Sequence, residues 1–146
     1  MIVIINGPNL NLLGKRSTHI YGTRTLPEII KDVRESFPEV SIMDFQSNSE
    51  GAIIDLIHQF GFDPKCDGIV INPGAYAHYS LAIADAIESV SVPVVEVHIS
   101  NIHAREEFRH NSVTARAATA VIAGCGTFGY KLAVEHLLNL DEDIPF

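Results

Sequence analysis

Three groups of residues in this 146-residue chain have types and spacings suited to proton transfer on a small anion. The first is Glu96, His98 and Ser100, in the segment VEVHISNIHAREEFRH. On an extended strand these alternate positions share one face. Two titratable groups on one face of a buried strand are costly unless they pair. Paired, Glu96 would orient the His98 imidazole and favour its protonated, donating form. The competing reading is a histidine held by structural hydrogen bonds alone. The second group is Tyr21, with Arg16 and Arg24 near it in sequence. A phenol ordinarily titrates near ~10, and an adjacent guanidinium favours the phenolate, which could then serve as a base. The competing reading is a loop tyrosine that packs its ring on the surface. The third group is Arg105 and Arg109. Four apart on a helix, they would share a face and grip a carboxylate or hydroxyls. Alternatively they pair with Glu106 and Glu107 on a solvated face.

These groups need a scaffold, and the chain alternates buried strands with amphipathic helices. Residues 2–5 are a β-branched apolar run, as in a strand covered on both faces. Gly7 and Pro8 break it. Residues 14–25 are polar, with Gly14 and Gly22 and the basic side chains Lys15, Arg16 and Arg24, which predicts a long mobile loop acting as a lid. Thr25-Leu26-Pro27-Glu28 fits a capping box opening a helix that Pro38 ends. Strands are predicted over 40–45, 68–72, 92–99 and 118–123. Helices are predicted from 47–51 through Phe60, over 81–90, in a short stretch over 104–110, and over 128–140. The tail DEDIPF reads as loosely held. The result is one α/β domain over 1–146: a flavodoxin-like, doubly wound, five-stranded parallel sheet flanked by helices. In that architecture ligands sit outside the carboxyl ends of the strands. Asn9 follows the first strand there, Asn72 and His78 the third, and His98, Ile99, Ser100 and Arg105 the fourth. The two asparagines could equally serve strand-end backbone groups.

Composition narrows the function. Ten Lys+Arg against eighteen Asp+Glu give a net charge of −8, which argues against general nucleic-acid binding. No apolar run approaches the ~18–20 residues of a membrane span. Two cysteines, Cys66 and Cys125, suit a reducing compartment, so a cytoplasmic location is expected. There is no GxGxxG after the first strand, no GxxxxGK[ST] and no GxSxG. His98, His103 and His110 do not match a HExxH or Cys/His zinc pattern, so no metal is expected.

Five blocks in register carry a family resemblance: INGPNLNLLGKR…YG at 5–22, QSNSEGAIIDLIH at 46–58, INPGAYAHYSLAIADA at 71–86, EVHISNIHAREEFR at 96–109 and GYKLAVEHL at 129–137. Together they resemble type II 3-dehydroquinate dehydratase, the small 3-dehydroquinase of the shikimate or quinate pathway. The resemblance implies dehydration of 3-dehydroquinate to 3-dehydroshikimate through an enolate, without cofactor. It implies trimers assembled into a homododecamer. It places the catalytic base on Tyr21, its loop arginine on Arg16, the general acid on His98 with Glu96 as partner, and the asparagine near the enolate on Asn9. Substrate-binding positions fall on Asn72, His78, Ile99, Ser100, Arg105 and Arg109, and on Asp85, which would reach a neighbouring subunit's site. The loop departs from the usual Arg-Glu-Pro, reading Arg16-Ser17-Thr18, and Ala77 replaces a usual threonine. These departures bear on lid behaviour and subunit contacts. Two other readings stand beside the lyase: a non-catalytic module holding a flavin or small metabolite, and a regulatory oligomer with a dead site.

Overall fold

The computed structural model describes residues 1–140; the DEDIPF tail lies outside the described residues. Five parallel strands form one sheet: β1 (Ile2–Asn6), β2 (Ile42–Gln46), β3 (Gly68–Asn72), β4 (Val94–His98) and β5 (Ala120–Ala123). Their order is β2-β1-β3-β4-β5, so the winding direction reverses between β1 and β3. Five α-helices accompany them: α1 (Thr18–Tyr21), α2 (Leu26–Ser36), α3 (Glu50–Gly61), α4 (Leu81–Glu88) and α5 (Phe128–Leu138).

The continuous apolar runs of β1 and β3 follow from burial on both faces. Alternate residues feed two separate cores. Ile2, Ile4, Val70, Val95 and Val97 pack with α2 and α5 through Ile29, Val33, Tyr130 and Val134. Val3, Ile5, Ile69 and Ile71 pack with α3 and α4 through Ile53, Ile57, Ile83 and Ile87. The Thr25–Glu28 capping box opens α2 as expected, and Phe37, biased away from helical geometry by Pro38, closes it.

β3 falls where the sequence suggests and β1 runs one residue further, while β2, β4 and β5 are shorter than expected. Val40 closes a turn onto the Phe37 carbonyl, so β2 starts only at Ile42. Pro93, which has no N–H to donate, precedes β4, and a 3-10 turn at Ala115–Ala117 delays β5. Two expectations need larger corrections. The 104–110 helix is instead two 3-10 turns, Ile102–Ala104 and Glu107–Arg109, separated by extended backbone at Arg105 and Glu106. The 14–25 segment is not wholly loop: it contains the one-turn helix α1, entered through Ser17 in left-handed conformation at φ 44°.

β1 and β3 approach each other closely past their ends. The Gly7 N–H donates to the Asn72 carbonyl at 2.7 Å. A Cβ on Gly7 would lie 2.5 Å from the Pro73 carbonyl oxygen, so only glycine fits. Gly74, at φ 60°, turns the chain after β3 against Pro8. This tight seam forms the floor for whatever sits above it.

Candidate functional site

A cavity of about 140 Å³ opens above that seam. Pockets for drug-sized ligands measure ~300–1,000 Å³, so this one suits a smaller molecule. Of the twelve candidate residues, ten line it: Asn9, Arg16, Tyr21, Asn72, His78, His98, Ile99, Ser100, Arg105 and Arg109. Glu96 stands behind His98 rather than in the wall. Asp85 lies on an exposed face of α4, away from this cavity. A larger hollow of about 540 Å³ lies at the amino ends of β4 and β5, around Val92, Pro93 and Thr119, and contains none of these groups.

The imidazole comes from the end of β4. Alternation carries Glu96 and His98 to one face, and His98 Nε2–H donates to Glu96 Oε2 at 2.9 Å. Glu96 is wholly buried and His98 nearly so. Ser112 also donates to Glu96 Oε2, at 2.8 Å, and Thr114 donates to Oε1. The carboxylate therefore meets donors on both oxygens, as a buried charge requires. With Nε2 engaged, Nδ1 is the ring nitrogen left for the cavity.

The phenol comes from α1. Tyr21 is half-buried, and Arg105 Nη1 donates to its Oη at 3.0 Å. The Arg105 and Arg16 guanidinium carbons lie 5.4 and 5.5 Å from the ring centroid. Burial opposes ionisation of the phenol. The Arg105 hydrogen bond, the charges of Arg105 and Arg109, and Arg16 together outweigh it, so the Tyr21 pKa falls below its ordinary 10.0. Sequence proximity assigned this work to Arg16 and Arg24, but Arg24 pairs with Asp32 at 3.2 Å and the hydrogen bond at 3.0 Å comes from Arg105, 84 residues away.

Arg105 also donates to Ser100 Oγ at 3.0 Å. Its Nε lies 3.4 Å from Glu106 Oε2, and Arg109 Nε lies 3.0 Å from the same oxygen. The ion-pair reading of these arginines thus holds for Glu106, while both still line the cavity. The Glu106 carboxyl lies below its usual range, first through its own backbone N–H and then, against burial, through the two arginines. His78 gives its Nδ1–H to the Asn111 carbonyl at 2.9 Å, and its ring centroid is 6.2 Å from that of His98. Burial holds the His78 imidazole below its ordinary 6.5, only partly offset by that hydrogen bond.

The asparagines divide. Asn72 does serve the backbone, since its Oδ1 accepts from Gly74 N–H at 3.1 Å. Its Nδ2 donates to Tyr130 Oη at 3.0 Å, and Tyr130 donates onward to Asn6 Oδ1 at 2.6 Å. Asn9 adopts φ 67°, which asparagine tolerates, and its backbone N–H donates to Asn48 Oδ1 at 3.0 Å. Its side-chain amide takes no partner among the described residues and lines the cavity. Sequence reading missed Ser112, Thr114 and Tyr130. A buried Glu96 calls for hydroxyl donors, but no local signal ties the Ser-Val-Thr at 112–114 to it.

No group of three His, Cys, Asp or Glu placed to hold a metal occurs among the described residues. No described helix is long and apolar enough to cross a membrane.

Residues 1–138 match the family model for dehydroquinase class II. A 3-dehydroquinate dehydratase of Clostridium perfringens is 54% identical over 140 residues, which span 94% of this chain and 96% of that protein. A catabolic 3-dehydroquinase of Botryotinia fuckeliana is 53% identical over 148 residues, spanning 99% of this chain and 96% of its own. The crystal structure of a type II dehydroquinase from Butyrivibrio crossotus superposes with a TM-score of 0.91 at 48% identity, covering 94% of this chain and 97% of that one.

Proposed function

The chain belongs to the class II dehydroquinase family, and from that premise we propose how its cavity performs the reaction. The activity is the dehydration of 3-dehydroquinate to 3-dehydroshikimate, a step of the shikimate and catabolic quinate routes. The single observation that carries our mechanism is the convergence of Tyr21 and His98 on one small cavity, each with its own electrostatic partner.

Tyr21, as phenolate, takes a proton from carbon 2, beside the ketone. The electron pair moves onto the carbonyl oxygen, giving an enolate. The Asn9 amide, with a bound water, stabilises that oxygen, the kind of preorganised donor that is worth most where charge develops. The enolate then collapses and carbon 1 gains a double bond to carbon 2. The departing hydroxyl takes the His98 proton and leaves as water. Proton return from Tyr21 to His98 resets the site. These steps call on side chains alone, with no cofactor or metal.

The substrate carboxylate sits against the Ile99 and Ser100 backbone N–H groups. No turn or loop carbonyl among the described residues takes either of them. Asn72 helps to hold the substrate carboxylate, and His78 and Arg109 meet the ring hydroxyls. Arg105 holds the phenolate and Ser100 together. Segment 14–25 acts as the lid that brings Arg16 and Tyr21 over the ring.

We also propose that 1–146 work as one catalytic domain in a cytoplasmic homo-oligomer, a dodecamer built from trimers. Tyr79, Leu81 and Phe108 leave large apolar side chains exposed, and Asp85 lies one turn beyond Leu81 on α4. That face would carry Asp85 to a neighbour's cavity. Free thiols at Cys66 and Cys125 are in keeping with a reducing compartment.

The test is direct. Protein mixed with 3-dehydroquinate should generate the conjugated enone, read by near-ultraviolet absorbance. Tyr21→Phe and His98→Ala should each lose at least about 100-fold in kcat while keeping the fold. Wild-type turnover in either variant would remove that residue from its role.

A further inference from the structure

His98 leans on a buried carboxylate, and that carboxylate is itself held by a loop distant in sequence. Its neighbours in the sheet, Ile71 on β3 and Val121 on β5, are apolar and offer its oxygens nothing. Apart from His98, the donors are two hydroxyls. Ser112 donates to Oε2 at 2.8 Å, and Thr114, fully buried, donates to Oε1. Ser112 is fixed in turn, accepting the Ala115 N–H at 3.1 Å. Each Glu96 oxygen thus has its own hydroxyl partner. The hydroxyls do not hold the loop alone, although Ser112 Oγ also reaches the Ala77 carbonyl at 3.4 Å. Val113 N–H already reaches the Ala77 carbonyl at 2.7 Å, and Ala117 N–H reaches the Thr114 carbonyl at 3.0 Å.

We propose that Ser112 and Thr114 are positioning residues for the dehydration: they fix the Glu96 carboxylate in the one orientation that puts Oε2 on His98 Nε2 and turns Nδ1 to the cavity. A carboxylate lacking these donors can swing, which lets the imidazole leave its line to the departing hydroxyl. The ground-state contacts to substrate come from other residues, so the loss should fall on turnover rather than on binding. This inference rests on His98 being the acid.

Four variants decide it: Thr114→Val, which keeps the shape and deletes the hydroxyl, Ser112→Ala, Thr114→Ser, and His98→Ala as reference. Thr114→Val and Ser112→Ala should each lower kcat by about tenfold or more with KM within about twofold of wild type. Thr114→Ser, which restores a donor, should recover most of that loss. Wild-type kcat in both deletions would overturn the proposal. So would a Thr114→Ser variant no better than Thr114→Val. If Thr114→Val does not fold, Ser112→Ala decides on the same terms. A His98→Ala enzyme with wild-type turnover would instead sink the role of His98 itself. A dead His98→Ala beside active deletions would sink only the positioning role.

Discussion

Replacing Arg105 by Met tests the electrostatic activation of Tyr21. Arg105 donates to the phenol at 3.0 Å and presents the same charge to its ring. A unit charge about 4 Å from another is worth about 1 kcal/mol in water and about 4 kcal/mol at an effective dielectric of about 20. Tyr21 is half-buried, so an intermediate value of about 2 kcal/mol applies. That corresponds to about 30-fold less phenolate at neutral pH, and to a rate curve displaced by one to two pH units. The displacement runs to higher pH, because the arginine holds the Tyr21 pKa down and its removal lets burial push it back up. The same linkage appears in stability. The native state releases this proton before the unfolded chain does, so stability rises with pH from the lowered value towards 10.0 and is lost as pH falls through it. The assay is kcat by enone absorbance from about pH 6 to about pH 10. Arg105→Met should approach wild-type rates at the alkaline end. Arg105→Lys, which keeps the charge but not the planar fork, should fall between the two. An equal deficit at every pH would refute the argument and leave Arg105 as a substrate contact through Ser100.

Tyr130→Phe removes the hydroxyl that links Asn72 to Asn6, leaving buried amide groups unpaired. It should cost about 1–3 kcal/mol, seen as a lower denaturant midpoint at unchanged slope. Thr25→Ala removes the α2 capping box and should cost about 1 kcal/mol, read as a lower denaturant midpoint. Asp85→Ala should lower activity although the residue lies outside its own subunit's cavity, and mixed assembly with Tyr21→Phe subunits should restore part of it. No recovery on mixing would argue against a shared site.

The fold was legible because burial on two faces writes itself into β1 and β3 as unbroken β-branched runs. The capping box at Thr25 was legible because its chemistry is local. Failures came where tertiary contacts override local pattern. Arg105 and Arg109 look like a helical pair, but the extended backbone at 105–106 turns both towards Glu106 and the cavity instead. Polar composition marked 14–25 as loop, yet Tyr21 packs against the core cluster and folds one helical turn beside it. The Glu96–His98 pair was readable from strand alternation. Its Ser112 and Thr114 donors were not, because nothing local says which loop returns to a strand.

The two halves of the site are built to opposite rules, and the chemistry explains why. The acid proposed here must hold a proton until the hydroxyl leaves, and His98 ends a central strand against a carboxylate sealed from water. The base must give up its proton before substrate arrives, and solvent access helps it do so. Tyr21, the base proposed here, is only half-buried on a one-turn helix, with arginine charge supplied by Arg105 at hydrogen-bond distance. Glu106 fits the same logic. It engages the Nε atoms of both Arg105 and Arg109, which fixes their direction and leaves Arg105 Nη1 for the phenol and Ser100. A carboxylate bound at the Nη1 position instead would neutralise the charge that Tyr21 uses.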